Sequence, residues 1–66
     1  MKTQEQARAS MTEMPPARPG WTRAITQNLE FGSYGCCYEQ IGARAGQVVT
    51  RGHFDELKIV WVETEG

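Results

Sequence analysis

The chain has 66 residues, of which 39% are hydrophobic, and its seven Lys and Arg against eight Asp and Glu give a net charge of −1. A chain this short makes one domain that buries only about 60% of its unfolded surface, so we expect support from a partner, with self-association as the simplest source. The slightly acidic balance argues against a dedicated binder of nucleic acid or anionic membranes, because such proteins concentrate Lys and Arg.

The N-terminal segment, KTQEQARASMTE, favours a helix by its composition but has no continuous apolar stripe. Only Ala7 and Met11 could share a buried face, and an isolated helix of this length is marginal in water. The segment lacks the apolar stretch of a secretory signal, and no run of the chain reaches the ~18 apolar residues of a membrane helix. We predict a mobile segment over residues 1–14 that is dispensable for folding, in a cytoplasmic protein.

All three prolines of the chain lie in MPPARPG, which follows that segment. Each proline fixes its own φ and moves the preceding residue away from helix, which predicts an extended connector. Pro16 and Pro19 enclose Arg18 in the P-x-x-P pattern that aromatic grooves bind, although we favour a plain linker. The predicted division is a flexible arm with a Pro-rich connector over 1–20 and a small β domain over 21–66.

The next segment, WTRAITQNLEF, carries its large apolar residues on odd positions: Trp21, Ile25, Leu29 and Phe31. Such alternation predicts a half-buried strand. A helix capped at Thr22, with Ile25 and Leu29 one turn apart, is the competing interpretation. We favour the strand, because Trp21 and Phe31 fit its spacing better.

Glycine-containing turns divide the rest of the domain into short strands. GSYG precedes CCYEQI, GARAG precedes QVVTR, and RGHFDE leads into LKIVWVE. The last strand has the strongest pattern, with Leu57, Ile59 and Trp61 on one face and Val60 and Val62 on the other. Apolar residues on both faces predict a central strand or one that also covers a partner. Trp61 is the expected core anchor.

These elements together predict a mostly β fold. It is a small antiparallel meander of four to five strands, or an SH3-like barrel, with a flexible N-terminal arm. The order RAGQVV…LKIVWVE resembles the strand, tip loop and strand of small SH3-like barrels, a likeness of fold that implies no function. Closure into a barrel would remove the exposed edges of a four-stranded sheet.

The adjacent Cys36 and Cys37 raise the question of a metal or redox site. Structural zinc sites use four Cys or His ligands, and the chain offers only these two cysteines and His53. Neighbouring side chains on a strand point to opposite faces, so the pair cannot easily hold one ion. Redox pairs are spaced C-x-x-C at the start of a helix. We predict one inward cysteine and one that faces outward or into an interface, with no metal and no cofactor. A metal- or thiol-dependent protein is our third functional interpretation.

His53 lies in the predicted turn RGHFDE near Asp55, a pair that acid–base catalysis could use. A solvated turn histidine is the simpler interpretation, because no nucleophile is placed beside it. GARAG lacks the spacing and the Lys of a phosphate-binding loop, and turn chemistry explains it. We therefore assign no catalytic residue and expect no enzyme activity.

The interpretation we favour is a small protein-binding module that acts as a regulator, accessory subunit or inhibitor and could form homo-oligomers. The alternative is a nucleic-acid-associated small β-barrel that uses Arg23, Arg44 and Arg51. The candidate partner-binding residues lie in the expected turns or on the second face of the last strand: Arg44, Arg51, His53, Phe54, Val60 and Val62.

Overall fold

The computed structural model describes residues 2–52 and 55–64, apart from the side chain of Arg51. It contains α1 (Gln4–Glu13), β1 (Trp21–Asn28), β2 (Tyr34–Gln40), β3 (Val48–Arg51) and β4 (Asp55–Val62). The strands form one antiparallel sheet in the order β2-β1-β4-β3. The mostly β prediction is confirmed, and so is a strand, rather than a helix, after the connector. The sheet is not closed, so β2 and β3 are its edge strands, and an SH3-like arrangement stays a prediction. The predicted meander is wrong, because the consecutive strands β2 and β3 lie at opposite edges and β1 pairs with β4.

Helix α1 occupies the segment for which the sequence predicts a mobile arm. The Thr3 hydroxyl accepts the N–H of Gln6 at 3.2 Å, and the Gln6 side chain accepts the N–H of Thr3 at 2.9 Å. This capping box defines the start of the helix. Ala7 and Met11 are buried against Ile25 of β1. The sheet thus supplies the apolar contact that a short helix lacks in isolation. The division of the chain into arm and domain stays a prediction.

The helix covers one face of the sheet, over β1 and β2. The buried residues at this contact are Ala7, Met11 and Ile25, and partly buried residues pack around them: Met14, Tyr34, Cys36, Val60 and Trp61. We call this cluster the helix–sheet seam. Trp61, the expected core anchor, is half-buried, and the Cζ of Arg8 lies 4.7 Å from the centroid of its ring.

A β-bulge in β4 divides the apolar residues of this strand between the two faces. Ile25 pairs with Trp61 but Thr26 pairs with Ile59, so Val60 is the extra residue. Alternation restarts at the bulge, which places Trp61 on the helix side and Ile59 on the opposite side. The prediction that these two residues share a face is therefore wrong, because a two-residue period cannot reveal a bulge.

The face opposite the helix is built from small and β-branched side chains. Its buried residues are Thr22, Ala24, Thr26, Ile59 and Val62. The Thr22 hydroxyl accepts the N–H of Thr64 at 2.9 Å, which ties the chain beyond β4 to β1. Both faces of β4 are thus packed within the chain, since Val60 contacts the seam and Val62 lies on this second face.

Candidate protein-binding surface

The two adjacent cysteines point to opposite faces of β2, as predicted. Cys36 lies opposite Ile25 and packs against the seam. The Cys37 thiol, on the other face, lies 3.6 Å from a carboxylate oxygen of Glu39. Neither cysteine forms a disulfide. Within the described residues, no three His, Cys, Asp or Glu side chains are grouped so that they could hold a metal ion, and His53 lies outside those residues.

The residues that the sequence suggests for partner binding are spread over several environments. Val60 packs against the seam, and Val62 is only 6% exposed. Arg44 is exposed in the connection between β2 and β3, where its N–H donates to the side-chain oxygen of Gln47 at 2.7 Å. The structure describes neither the side chain of Arg51 nor any atom of two further candidates: His53 and Phe54.

Arg23, a candidate of the nucleic-acid interpretation, is engaged within the fold. Its guanidinium forms an ion pair with Glu63 and donates to the carbonyl oxygen of Met14 at 2.9 Å. The C-terminal end of a helix carries partial negative charge, so a cation beside it is favourable. The hydrogen bond from Arg23 lowers the pKa of Glu63 below its ordinary value, and the same bond raises the pKa of Arg23. Arg23, which lies in β1, therefore links the C-terminal end of α1 to the segment after β4.

The outer edge of β2 presents backbone groups that the sheet does not use. The C=O of Ser33 accepts the N–H of Asn28 at 2.8 Å, and the N–H of Ile41 donates to the C=O of Gly20, just before β1, at 2.9 Å. The odd-numbered residues of β2 therefore face β1. The N–H and C=O groups of Cys36, Tyr38 and Gln40 consequently point away from the sheet. Within the described residues, no backbone hydrogen bond satisfies these groups at Cys36 and Tyr38 or the N–H of Gln40. The C=O of Gln40 accepts the N–H of Ala43 at 3.1 Å. We call these three positions the open edge.

The two edges of the sheet differ in how they are protected. Exposed edge strands are usually short or carry Lys, Pro or a bulge, which discourages pairing with other chains. Strand β3 has four residues, but β2 has seven, YGCCYEQ, with no Lys and no Pro. Its first outward N–H, that of Tyr34, donates to the carbonyl oxygen of Lys2 at 3.0 Å. The N-terminal end of the β2 edge is therefore already hydrogen-bonded to another backbone segment of the chain.

A cleft of about 310 Å³ lies beside the open edge, lined by Pro16, Arg18, Trp21 and Tyr38. The Cζ of Arg18 is 4.8 Å from the centroid of the Trp21 ring, a cation–π contact. The Tyr38 hydroxyl donates to the carbonyl oxygen of Pro15 at 2.7 Å and holds the connector against β2. Tyr38 is still 36% exposed. We call this the aromatic cleft; Tyr38 belongs both to it and to the open edge.

The local sequence explains how the cleft is shaped. The N–H of Trp21 donates to the carbonyl oxygen of Arg18 at 3.0 Å, and Gly20 between them has φ 87. Pro followed by Gly suits a type II turn of this kind. The connector that the sequence suggests as a plain linker is therefore part of a surface. The proline pattern next to Trp21 was the sequence signal for this surface. Tyr38 could not be found in that way, because only strand pairing brings it beside the connector.

A second exposed apolar region is the turn between β1 and β2. Leu29 is 46% and Phe31 is 62% exposed. The side-chain oxygen of Asn28 accepts the N–H groups of Glu30 and Phe31, each at 2.9 Å, and so ends the strand. The prediction that the strand continues to Phe31 is wrong, because this side chain replaces strand pairing with a turn.

No family model, curated protein or solved structure matches this chain. Helix α1, with 10 residues, is too short to span a bilayer, and the described residues form no other helix that could do so.

Proposed function

We propose that this protein binds another protein by accepting an extended segment of its partner as an additional strand beside β2. The observation that carries the proposal is the row of outward backbone groups at Cys36, Tyr38 and Gln40, next to the aromatic cleft. An added strand satisfies such groups directly, and its side chains provide specificity. A module of this kind acts as a regulator, accessory subunit or inhibitor, because it holds a partner without changing it chemically.

The aromatic cleft indicates which segments fit. Alternate side chains of an added strand lie on the helix side of the sheet, where Trp21 and Tyr38 offer apolar surface. Arg18 is exposed and has no acidic partner among the described residues. Its guanidinium adds positive charge beside the two rings. We therefore expect a segment with an apolar side chain close to a carboxylate.

Selection of a display library of random linear peptides on the full chain tests the proposal. The selected peptides should carry an apolar residue near Asp or Glu. Their binding should weaken when alternate backbone nitrogens are methylated, because methylation removes the N–H donors that strand addition needs. In NMR spectra of the complex, the amides of Cys36, Tyr38 and Gln40 should become protected from hydrogen exchange. Peptides that bind equally well after methylation at every position contradict strand addition.

Two charge substitutions locate the site. Arg18→Glu should weaken binding of the selected acidic peptides by about tenfold or more, equivalent to ~1.4 kcal/mol. Val48→Glu introduces the same side chain at an exposed position of the other edge strand, and should leave binding unchanged. Equal responses of the two variants would place the peptide elsewhere.

A further inference from the structure

We infer that the added strand is β2 of a second copy of this chain, paired antiparallel about a two-fold axis at Tyr38. This inference rests on strand addition at the open edge and names the partner. The axis sets Tyr38 opposite Tyr38 of the second copy, and Cys36 opposite Gln40 of the second copy. Outward-facing residues that lie opposite each other exchange both backbone hydrogen bonds. Each residue of the open edge thus lies opposite another. The Gln40 carbonyl oxygen, which already accepts the N–H of Ala43 at 3.1 Å, has a second lone pair for the added strand.

Neighbouring registers fit less well. A two-fold axis at Cys37 would set Tyr34 opposite Gln40 of the second copy, but the Tyr34 N–H is already bonded to Lys2. An axis at Glu39 would set Glu39 opposite its own copy, and like charges directly opposite one another are unfavourable. The axis at Tyr38 sets Glu39 opposite a cysteine instead. The side chains and the Lys2 contact therefore select one register.

The composition of the molecule also favours self-pairing. Among the described residues, the buried apolar side chains are few: Ala7, Met11, Ala24, Ile25, Ile59 and Val62. Domains of this size are marginal without a disulfide, a metal or a partner. Pairing would extend the sheet across both copies and bring together two Tyr38 rings, each 36% exposed in the single chain. Aromatic side chains that meet across strands stabilise a sheet.

Charged substitutions at Tyr38 test both the register of the paired strands and the identity of the partner. Tyr38→Lys and Tyr38→Glu each set like charges opposite one another, so each variant alone should sediment as a monomer of 7.4 kDa where the wild type forms dimers. An equal mixture should form heterodimers, because the charges are then opposite. The same substitutions at the exposed Val48 of β3 should leave dimers intact. Circular dichroism confirms that each variant is folded.

The outcomes separate this inference from the proposed function. A wild type that remains at 7.4 kDa up to millimolar concentration overturns the second copy. Strand addition still stands in that case if library peptides protect the amides of Cys36, Tyr38 and Gln40. Dimers that the Tyr38 substitutions leave intact, or that the mixture fails to restore, also overturn the inference, since pairing then uses another surface. Monomers that bind no peptide at the open edge contradict both.

Discussion

Strand β2 belongs to two regions of the molecule that use it in different ways. On its helix side, Cys36 packs into the seam beside Met11 and Ile25, within the same chain. Along its outer edge, the backbone groups of Cys36, Tyr38 and Gln40 face away from the sheet. Side chains packed in the seam hold the strand in place, and the outward backbone groups of the edge stay available to pair with another chain. A small domain can therefore hold an edge strand in place and still offer it for binding.

Removal of the helix should affect the seam most strongly. A chain that starts at Pro15 lacks Ala7 and Met11 and leaves Ile25 uncovered. Truncation of one buried Met side chain already costs about 2–5 kcal/mol, comparable to the ~3–5 kcal/mol that a core of this size supplies. The sequence alone predicts that residues 1–14 are dispensable. Because of this packing, we expect instead that the truncated chain is largely unfolded, as measured by thermal melting. A melting temperature within a few degrees of wild type would show that the sheet folds without the helix.

A single substitution makes the same test more selective. Met11→Ala should lower the free energy of unfolding by about 2–5 kcal/mol in urea titrations. Ile41→Ala removes apolar atoms from a residue that is 47% exposed, and should stay within about 0.5 kcal/mol of wild type. Similar costs for both variants would mean that the helix does not pack as described.

Serine substitutions of the two cysteines compare the two faces of β2. Cys36→Ser places a hydroxyl in the apolar seam, which should cost about 1–3 kcal/mol if the hydroxyl finds no partner. Cys37→Ser should cost less, because that side chain lies beside the Glu39 carboxylate, which a hydroxyl can donate to. Urea denaturation of both variants gives the difference. Equal costs would contradict the assignment of the two thiols to different environments.

The ion pair at the end of the helix should produce the smallest effect, seen as a pH dependence. The hydrogen bond from Arg23 lowers the folded-state pKa of Glu63, so the stabilising contribution is fully present above the ordinary Glu pKa. It is lost as pH falls through the lowered pKa. The stability difference between wild type and Glu63→Gln should therefore shrink toward zero in acid. A difference that stays constant with pH would show that the pair does not form.

The sequence predicts the elements of this fold better than their arrangement. Alternation after Trp21 and the glycine turns are local signals, and they locate the strands. The docking of Met11 on Ile25 depends on sheet geometry that a local pattern does not contain. The bulge at Val60 reverses alternation within an unbroken apolar run. The open edge follows from strand order, and the aromatic cleft needs Tyr38 beside the connector, so neither could be predicted from spacing alone.

Residue-resolved amide hydrogen exchange in β2 tests the open edge most directly. In dilute, monomeric protein we predict an alternation: the amides of Cys37 and Glu39, bonded to β1, exchange slowly, and those of Cys36, Tyr38 and Gln40 exchange fast. The fast amides should slow when a selected peptide or a second copy adds its strand. Slow exchange at all five positions in the isolated monomer would contradict the proposal, because the edge would then already be covered within the chain.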